Sequence, residues 1–369
     1  MSNGAGTHAA SFLSWLDAAA EDLDTGYADK ALLLPALAAS GVAGAGVPQV
    51  LGGGGGSVVD GVRAIAEVSA RSLAAGFVLW GHRTYIEYLL QSPNAALRER
   101  LIGPLLAGEV AGATGLSNAM KFLAGLEGLQ VSARKAGAGL LLDGKLPWVT
   151  NLRPEGFHVA AAVASEEGGA PFVASLCADA AGLERSADLD LIALRGTNTA
   201  AVTLSNVAIT EADILHPDAR AWLPRVRPAF LGLQIGMSIG LARRALKEAG
   251  GHIADAGRHV LSGSIAELSA AVDAQENALF EGLASGTFAD TAAPLFKIRI
   301  ALAELANAAV GLELQASGGR AYLAASGRDF ARRWREAAFL PVITPSLVQL
   351  KAALADHAAQ ATPGSGQAV

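Results

Sequence analysis

The residues at 148–151 read Trp-Val-Thr-Asn, which sets an indole face, a hydroxyl and an amide side by side at one strand end. Groups of that kind suit a flat, hydrogen-bonding ring system such as a flavin. A Trp in this setting serves equally well to pack the edge of a β-domain. The stretch just before it, 139–145, reads as strand, Asp-Gly turn, strand, with Asp143 and Gly144 at the turn. Its GxxxxGK spacing also matches a phosphate-binding loop. Leu146 follows, however, where a Ser or Thr must hold magnesium, and the segment lies in a hairpin.

Other chemistry is excluded or weak. No His, Cys and carboxylate cluster has metal-ligand spacing, and no Ser-His-Asp spacing appears. His82, His158, His252 and His259 are scattered and read as core or surface residues. The glycine run at 52–56 follows no strand, so a dinucleotide-binding fingerprint fails and a turn is expected. Cys177 is the lone cysteine. It reads as a small buried hydrophobe, and its solitude fits a reducing, cytoplasmic setting. Formal net charge is −6 with no basic stripe, which argues against nucleic acid or an anionic membrane as partner. Residues 1–10 lack a basic start followed by an apolar core. Apolar runs are broken before about 18 residues, so no membrane span is expected.

The elements that must position Trp148 fall into three blocks. Hydrophobic residues make up 51% of 369 and aromatics only 5%, so the chain can fill more than one core with small side chains. Residues 1–108 show helical periodicity, interrupted by Pro48 and the glycine run, with a short helix at 97–106 expected to break at Pro104. Residues 109–218 switch to short apolar runs separated by turn residues, at 129–133, 139–142, 158–164, 172–177 and 201–204, the pattern of a β-barrel-like domain. Residues 219–361 return to helices, the last opened by Pro345. The tail, 362–369, is expected to be disordered. Periodicity therefore predicts an α+β chain with a C-terminal helical bundle.

Several motifs follow one another in this order: Pro48 to Gly53; Thr114-Gly115-Leu116-Ser117; Lys145 with Trp148 to Asn151; Arg195-Gly196-Thr197; Gln315 with Gly318, Gly319 and Tyr322; and Arg335-Glu336-Ala337. As an ordered set they resemble the acyl-CoA dehydrogenase superfamily. The resemblance implies a helical N-terminal domain, a β middle domain and a C-terminal four-helix bundle, with FAD between the last two and partly held by a neighbouring subunit.

By position, the resemblance places Thr114, Leu116 and Ser117 at the flavin edge, and Trp148 and Thr150 over its other side. Arg258 falls where an arginine reaches the pyrophosphate of an adjacent subunit, although Leu261-Ser262 replaces the Phe-Gly that follows it in the family. Gln315, Gly318 and Gly319 fall at the adenine side, and Ser346 at the flavin tail. The family's catalytic glutamate falls on Thr344, and its alternative position falls near Phe230. Neither is a carboxylate, and a hydroxyl cannot serve as the base near neutral pH. Glu313 and Glu276 are fallback bases that no motif places. Three readings follow. The first, and the leading one, is a dehydrogenase of an acyl thioester on coenzyme A or a carrier, passing electrons to an acceptor flavoprotein. The second is a flavin monooxygenase fed by a flavin reductase, whose relatives place a histidine near the C-terminal flavin loop, where His357 is nearest. The third is an inactive subunit of a hetero-oligomer. The apolar, small-residue bundle predicts a homo-oligomer, a dimer or homotetramer.

Overall fold

The computed structural model describes residues 3–361 apart from 124, 126, 138 and 256. The tail at 362–369 lies outside the described residues. Five helices come first: α1 (Asn3–Thr25), α2 (Leu33–Ala39), α3 (Val58–Ser69), α4 (Leu73–Leu90) and α5 (Ala95–Leu106). Their starts are set by local chemistry. Ser57 and Asp60 form a capping box on α3, and Ser72 and Asn94 cap α4 and α5 through Ala75 and Leu97. Helix α4 is buried on nearly every side, so it is the central helix of this region. Pro104 does not break α5, which continues to Leu106.

The middle region carries β1 (Ala111–Thr114), a short helix α6 (Ser117–Leu123), then β2 (Val131–Ala136), β3 (Gly139–Val149), β4 (Phe157–Ser165), β5 (Phe172–Cys177), β6 (Leu183–Arg185), β7 (Ala200–Ile209) and β8 (Ile214–His216). The strand order is β6-β7-β3-β2-β4-β5-β8, with β1 added parallel to β4. The sheet is thus mixed.

One expectation is corrected here. Asp143 and Gly144 do not turn the chain. They sit within β3, paired with Ser132 and Val131, at a shift of register between Leu142 and Gly144 against β7. The position is a bulge. Its φ is +144°, and a Cβ there would lie 2.2 Å from the Gln130 carbonyl, so glycine is required. The hairpin turn is instead the β2–β3 connection. As a result β3 runs unbroken into Val149 and delivers Trp148 to the sheet's end.

The C-terminal helices are α7 (Ala219–Gly251), α8 (Ser262–Ser285), α9 (Thr287–Asp290), α10 (Ala293–Ser317), α11 (Arg328–Phe339) and α12 (Leu347–Ala361). Helix α7 packs on α10 and on α3. It approaches α3 so closely that a Cβ at Gly240 would lie 2.1 Å from the Ala66 carbonyl, which is one use of the small residues. Two Arg–Glu pairs are buried in this region: Arg333 with Glu313, and Arg332 with Glu336, which also accepts from the Leu73 amide at 2.9 Å. The stretch Arg328–His357 is long and apolar enough to cross a membrane by length and composition. It is nevertheless two helices interrupted at 340–346, and its first part holds those buried charges.

Candidate functional site

A cleft of about 580 Å³ lies where the end of β3 faces α4 and the segment following α11. One wall is built on the sheet. Trp148 is 61% exposed there, while its neighbours Leu146 and Val149 turn into the core. Ser117 opens α6, and the Thr150 hydroxyl donates to the Thr197 carbonyl at 3.3 Å. Asn118, Lys121 and Glu127 join this wall as a polar knot. The Asn118 amide donates to Glu127 at 2.8 Å and accepts from the Gln130 amide at 2.9 Å. Lys121 sits 3.3 Å from Glu127. The Asn118 hydrogen bond, and with it Lys121, holds the Glu127 carboxyl below the usual glutamate range.

The facing wall is helical. Phe77 and Trp80 of α4 stack in parallel at 5.4 Å, and Phe339 meets Phe77 edge-on at 5.0 Å. The Trp80 indole N–H is committed to the Phe230 carbonyl. Thr344 completes this wall. Its carbonyl accepts from Gln234 at 3.0 Å, and the Gln234 oxygen accepts from Arg299, which also donates to the Leu340 carbonyl at 2.7 Å. Arg299 is fully buried and meets no carboxylate among the described residues. Burial pulls its guanidinium down to about 10.

The two walls are tied by Asp24, which is fully buried at the end of α1. One oxygen accepts from the Leu194 amide at 2.8 Å, on the loop over the cleft. The other accepts from Arg335 at 2.8 Å, on the helical wall. A second tie is His82 on α4. Its Nε2 donates to the Leu105 carbonyl and its Nδ1 accepts from the Gly112 amide of β1, both at 3.0 Å. Burial lowers its pKa to about 4, so the ring is the neutral tautomer that both bonds require.

Comparison with known proteins agrees with this arrangement. Residues 14–109 match the family model for the acyl-CoA dehydrogenase N-terminal domain. The mitochondrial isovaleryl-CoA dehydrogenase of Pongo abelii is 28% identical over 184 residues, covering 47% of this chain and 42% of that protein. The match therefore spans less than half the length of that relative. Butyryl-CoA dehydrogenase of Megasphaera elsdenii superposes with a TM-score of 0.80 at 18% identity, covering 96% of each chain. Residues 14–109 thus match an acyl-CoA dehydrogenase N-terminal domain, and the chain as a whole has the acyl-CoA dehydrogenase-like fold. The same fold is shared by dibenzothiophene monooxygenase (TdsC) of Paenibacillus sp. A11-2, with a TM-score of 0.75 at 17% identity and 98% of each chain covered.

Within this fold, the sequence-derived site residues divide. Ser117, Trp148, Thr150 and Thr344 share the cleft. Thr114 and Leu116 do not line it. The Thr114 hydroxyl is held by Tyr88 at 2.9 Å, and Leu116 is fully buried in the core. The Ser346 hydroxyl accepts from the Gln349 amide at the start of α12.

Arg258, Gln315, Gly318 and Gly319 gather elsewhere, at the end of α10. Arg258 pairs with Asp255 at 2.5 Å and donates to the Ser317 carbonyl. Gln315 and Gly319 are exposed. A Cβ at Gly318 would lie 2.7 Å from Arg258.

Both fallback bases are corrected. Glu313 is clamped by Arg333 and Glu276 by Arg243, and neither lines the cleft. His357 is exposed on α12, away from it. Sequence reasoning missed Phe77, Trp80, Lys121, Glu127 and Phe339 altogether. It matched Arg335 to a motif without giving it a role. No spacing signal marks the aromatic pair, because α4 is buried on nearly every side.

Proposed function

We propose that the chain is a flavin-dependent oxidoreductase that holds FAD against the sheet wall at Trp148 and works without a carboxylate base. The observation that carries this reading is the combination at the cleft's two ends. An exposed indole face stands at one. At the other stands Thr344, where the resemblance expects the family's base, while Glu127, the carboxylate on the sheet wall, is tied up by Asn118 and Lys121. The residues fit a flavin. Trp148 offers a flat face, and the Ser117 hydroxyl, which lines the same cleft, has no protein partner among the described residues. A cleft of this size with a mostly apolar lining and a few polar groups is typical of cofactor sites.

The chemistry that bound, reduced flavin supplies is two-electron activation of dioxygen, one oxygen atom entering the substrate and the other leaving as water. The protein's own part is to bind and to exclude water. The Phe77–Trp80–Phe339 wall desolvates the substrate, and Thr344 presents a neutral hydroxyl that can orient it. The Arg299–Gln234 clamp holds the Thr344 backbone in place. This reading makes a flavin reductase the partner.

A second copy of the chain is part of the proposal. Arg258 and Gly318 lie away from the Trp148 cleft, and Tyr322, Leu323 and Val260 near them are 85%, 60% and 70% exposed. An apolar rim around an arginine fits a homo-oligomer in which this end completes a neighbour's FAD site. Light scattering that returns a monomer mass at micromolar concentration contradicts it.

A second reading, dehydrogenation of an acyl thioester, is favoured by the N-terminal family domain and the isovaleryl-CoA dehydrogenase relative. Purified protein loaded with FAD separates the two. Oxygen uptake with a flavin reductase and NADH, and no anaerobic bleaching by a panel of acyl-CoAs, supports the oxygenase reading. Robust bleaching by the unmodified protein supports the dehydrogenase. Under the proposal, bleaching appears only on Thr344→Glu, because loss of a base removes roughly 10²–10⁴-fold of rate. A protein that takes up no FAD overturns both readings and leaves the inactive-subunit one.

A further inference from the structure

We infer that the substrate is a neutral, compact aromatic ring compound. The inference rests on the flavin-dependent reading above and names the substrate class for that same cleft. Aromatic residues are 5% of the chain, yet a stacked and edge-on group of them forms the wall left over once the Trp148 side is assigned to flavin. Phe77 and Trp80 are parallel within 5° at 5.4 Å and Phe339 stands at 77° to Phe77, while Phe230, buried and not lining the cleft, backs Trp80 at 65°. This lattice of faces and edges continues naturally onto one more ring, since aromatic pairs favour offset-stacked and edge-on contacts. A flexible acyl chain gains apolar burial there but no ring–ring contact.

The electrostatics agree. Two cationic residues line the cleft, and each is already neutralised within the chain: Lys121 by Glu127, and Arg335 by Asp24 and Glu21. No lining cation among the described residues is left for a substrate carboxylate or phosphate. The Trp80 N–H is spent on Phe230, so α4 offers carbon and π surface only. The polar contact that this wall does offer is the Thr344 hydroxyl, which has no protein partner among the described residues. One weak hydrogen bond beside a rigid apolar wall suits a phenol, an aromatic amine or a heterocycle. The entrance is apolar as well, with Ile192 90% and Val342 62% exposed at its edge.

The test is calorimetric binding of 2-naphthol, naphthalene-2-sulfonate and butyryl-CoA to the protein with and without added FAD, alongside the visible spectrum of the FAD-loaded form. The expected result is that 2-naphthol binds with or without FAD and perturbs the spectrum when FAD is present. The sulfonate should bind at least about tenfold more weakly, since it brings an unpaired charge into an apolar site, and butyryl-CoA should not compete. Phe339→Leu keeps the site apolar and of similar bulk but removes one ring, and should weaken 2-naphthol about tenfold. Three outcomes overturn the inference: equal binding of naphthol and sulfonate, naphthol affinity indifferent to Phe339→Leu in a folded variant, or tight butyryl-CoA binding that displaces naphthol. Failure of FAD to bind while 2-naphthol still does would strike the flavin reading and not the substrate class. FAD binding with no response to 2-naphthol would do the reverse.

Discussion

The two walls of the cleft are held in place by different means. On the sheet wall, Trp148, Thr150 and Ser117 are positioned by backbone: a strand register, a bulge at Gly144 and the start of a short helix. On the helical wall, Arg335, Phe339 and Thr344 are positioned by side chains that reach across the chain. Asp24 comes from α1, and Arg299 and Gln234 come from α10 and α7. The backbone-held wall carries the motif that matches the family. The side-chain-held wall carries Thr344, where the sequence resemblance expects a glutamate. A wall fixed by register can change a side chain without losing its frame. A wall fixed by buried polar contacts has a frame that is itself open to substitution.

That contrast can be broken most easily at Asp24. Asp24→Ala leaves Arg335 with Glu21 alone and the Leu194 amide unpaired. It should destabilise the protein by about 3–5 kcal/mol, as removing one partner of a buried ion pair does. Urea unfolding measures it, and a loss under about 1 kcal/mol would show that the walls are not tied there.

Next comes pH, acting on His82, which joins α4 to β1. Its folded pKa of about 4 lies below the ordinary 6.5. The unfolded chain therefore binds a proton first as pH falls, and stability is full above 6.5 and is lost between 6.5 and about 4. The loss is on the order of 3 kcal/mol. His158, also lowered to about 4 by burial, acts in the same direction. Unfolding free energies that stay flat from pH 7 to 4 would contradict the neutral tie.

Smaller still is the Arg299 clamp. Arg299→Met removes a buried charge but strands the Leu340 carbonyl and the Gln234 amide oxygen. The expected cost is about 1–3 kcal/mol, with weakened 2-naphthol binding because the Thr344 segment loosens. Unchanged binding in a destabilised variant would reduce the clamp to a packing role.

The smallest effect on stability, and the sharpest on ligand, is expected at the sheet wall. Trp148 is exposed, so Trp148→Ala should stay within about 0.5 kcal/mol in stability. Its FAD affinity should nevertheless drop about tenfold, as loss of a ring–ring contact does. A large stability loss would support the alternative that this Trp packs a β-edge.

Much of the frame was legible in the chain. The change of period from helix to strand and back appears where α5, β1 to β8 and α7 appear, because 3.6- and 2-residue periodicities are properties of consecutive residues. The short pieces were not legible. Strands β1, β6 and β8 and helix α6 are too brief to show a period. The Asp-Gly pair reads as a turn in any isolated hairpin, yet here partners on both sides of β3 keep the strand straight and make it a bulge. Pro104 likewise stays inside α5, in its last turn, where it forgoes one backbone hydrogen bond without ending the helix before Leu106.

The sequence by itself determined which residues could do chemistry: a Trp-Val-Thr-Asn strand end and a Thr where the resemblance expects a base. Both are statements about side-chain type at a position in order, which a linear chain carries in full. Only the tertiary structure decided what surrounds them. It placed the stacked Phe77 and Trp80 opposite Trp148, sent Glu313 and Glu276 away into ion pairs, neutralised Arg335 with Asp24, and moved Arg258 and Gly318 to a separate end. Those outcomes depend on contacts between residues far apart in the chain, such as Asp24 and Arg335. No local pattern encodes a distance across a fold.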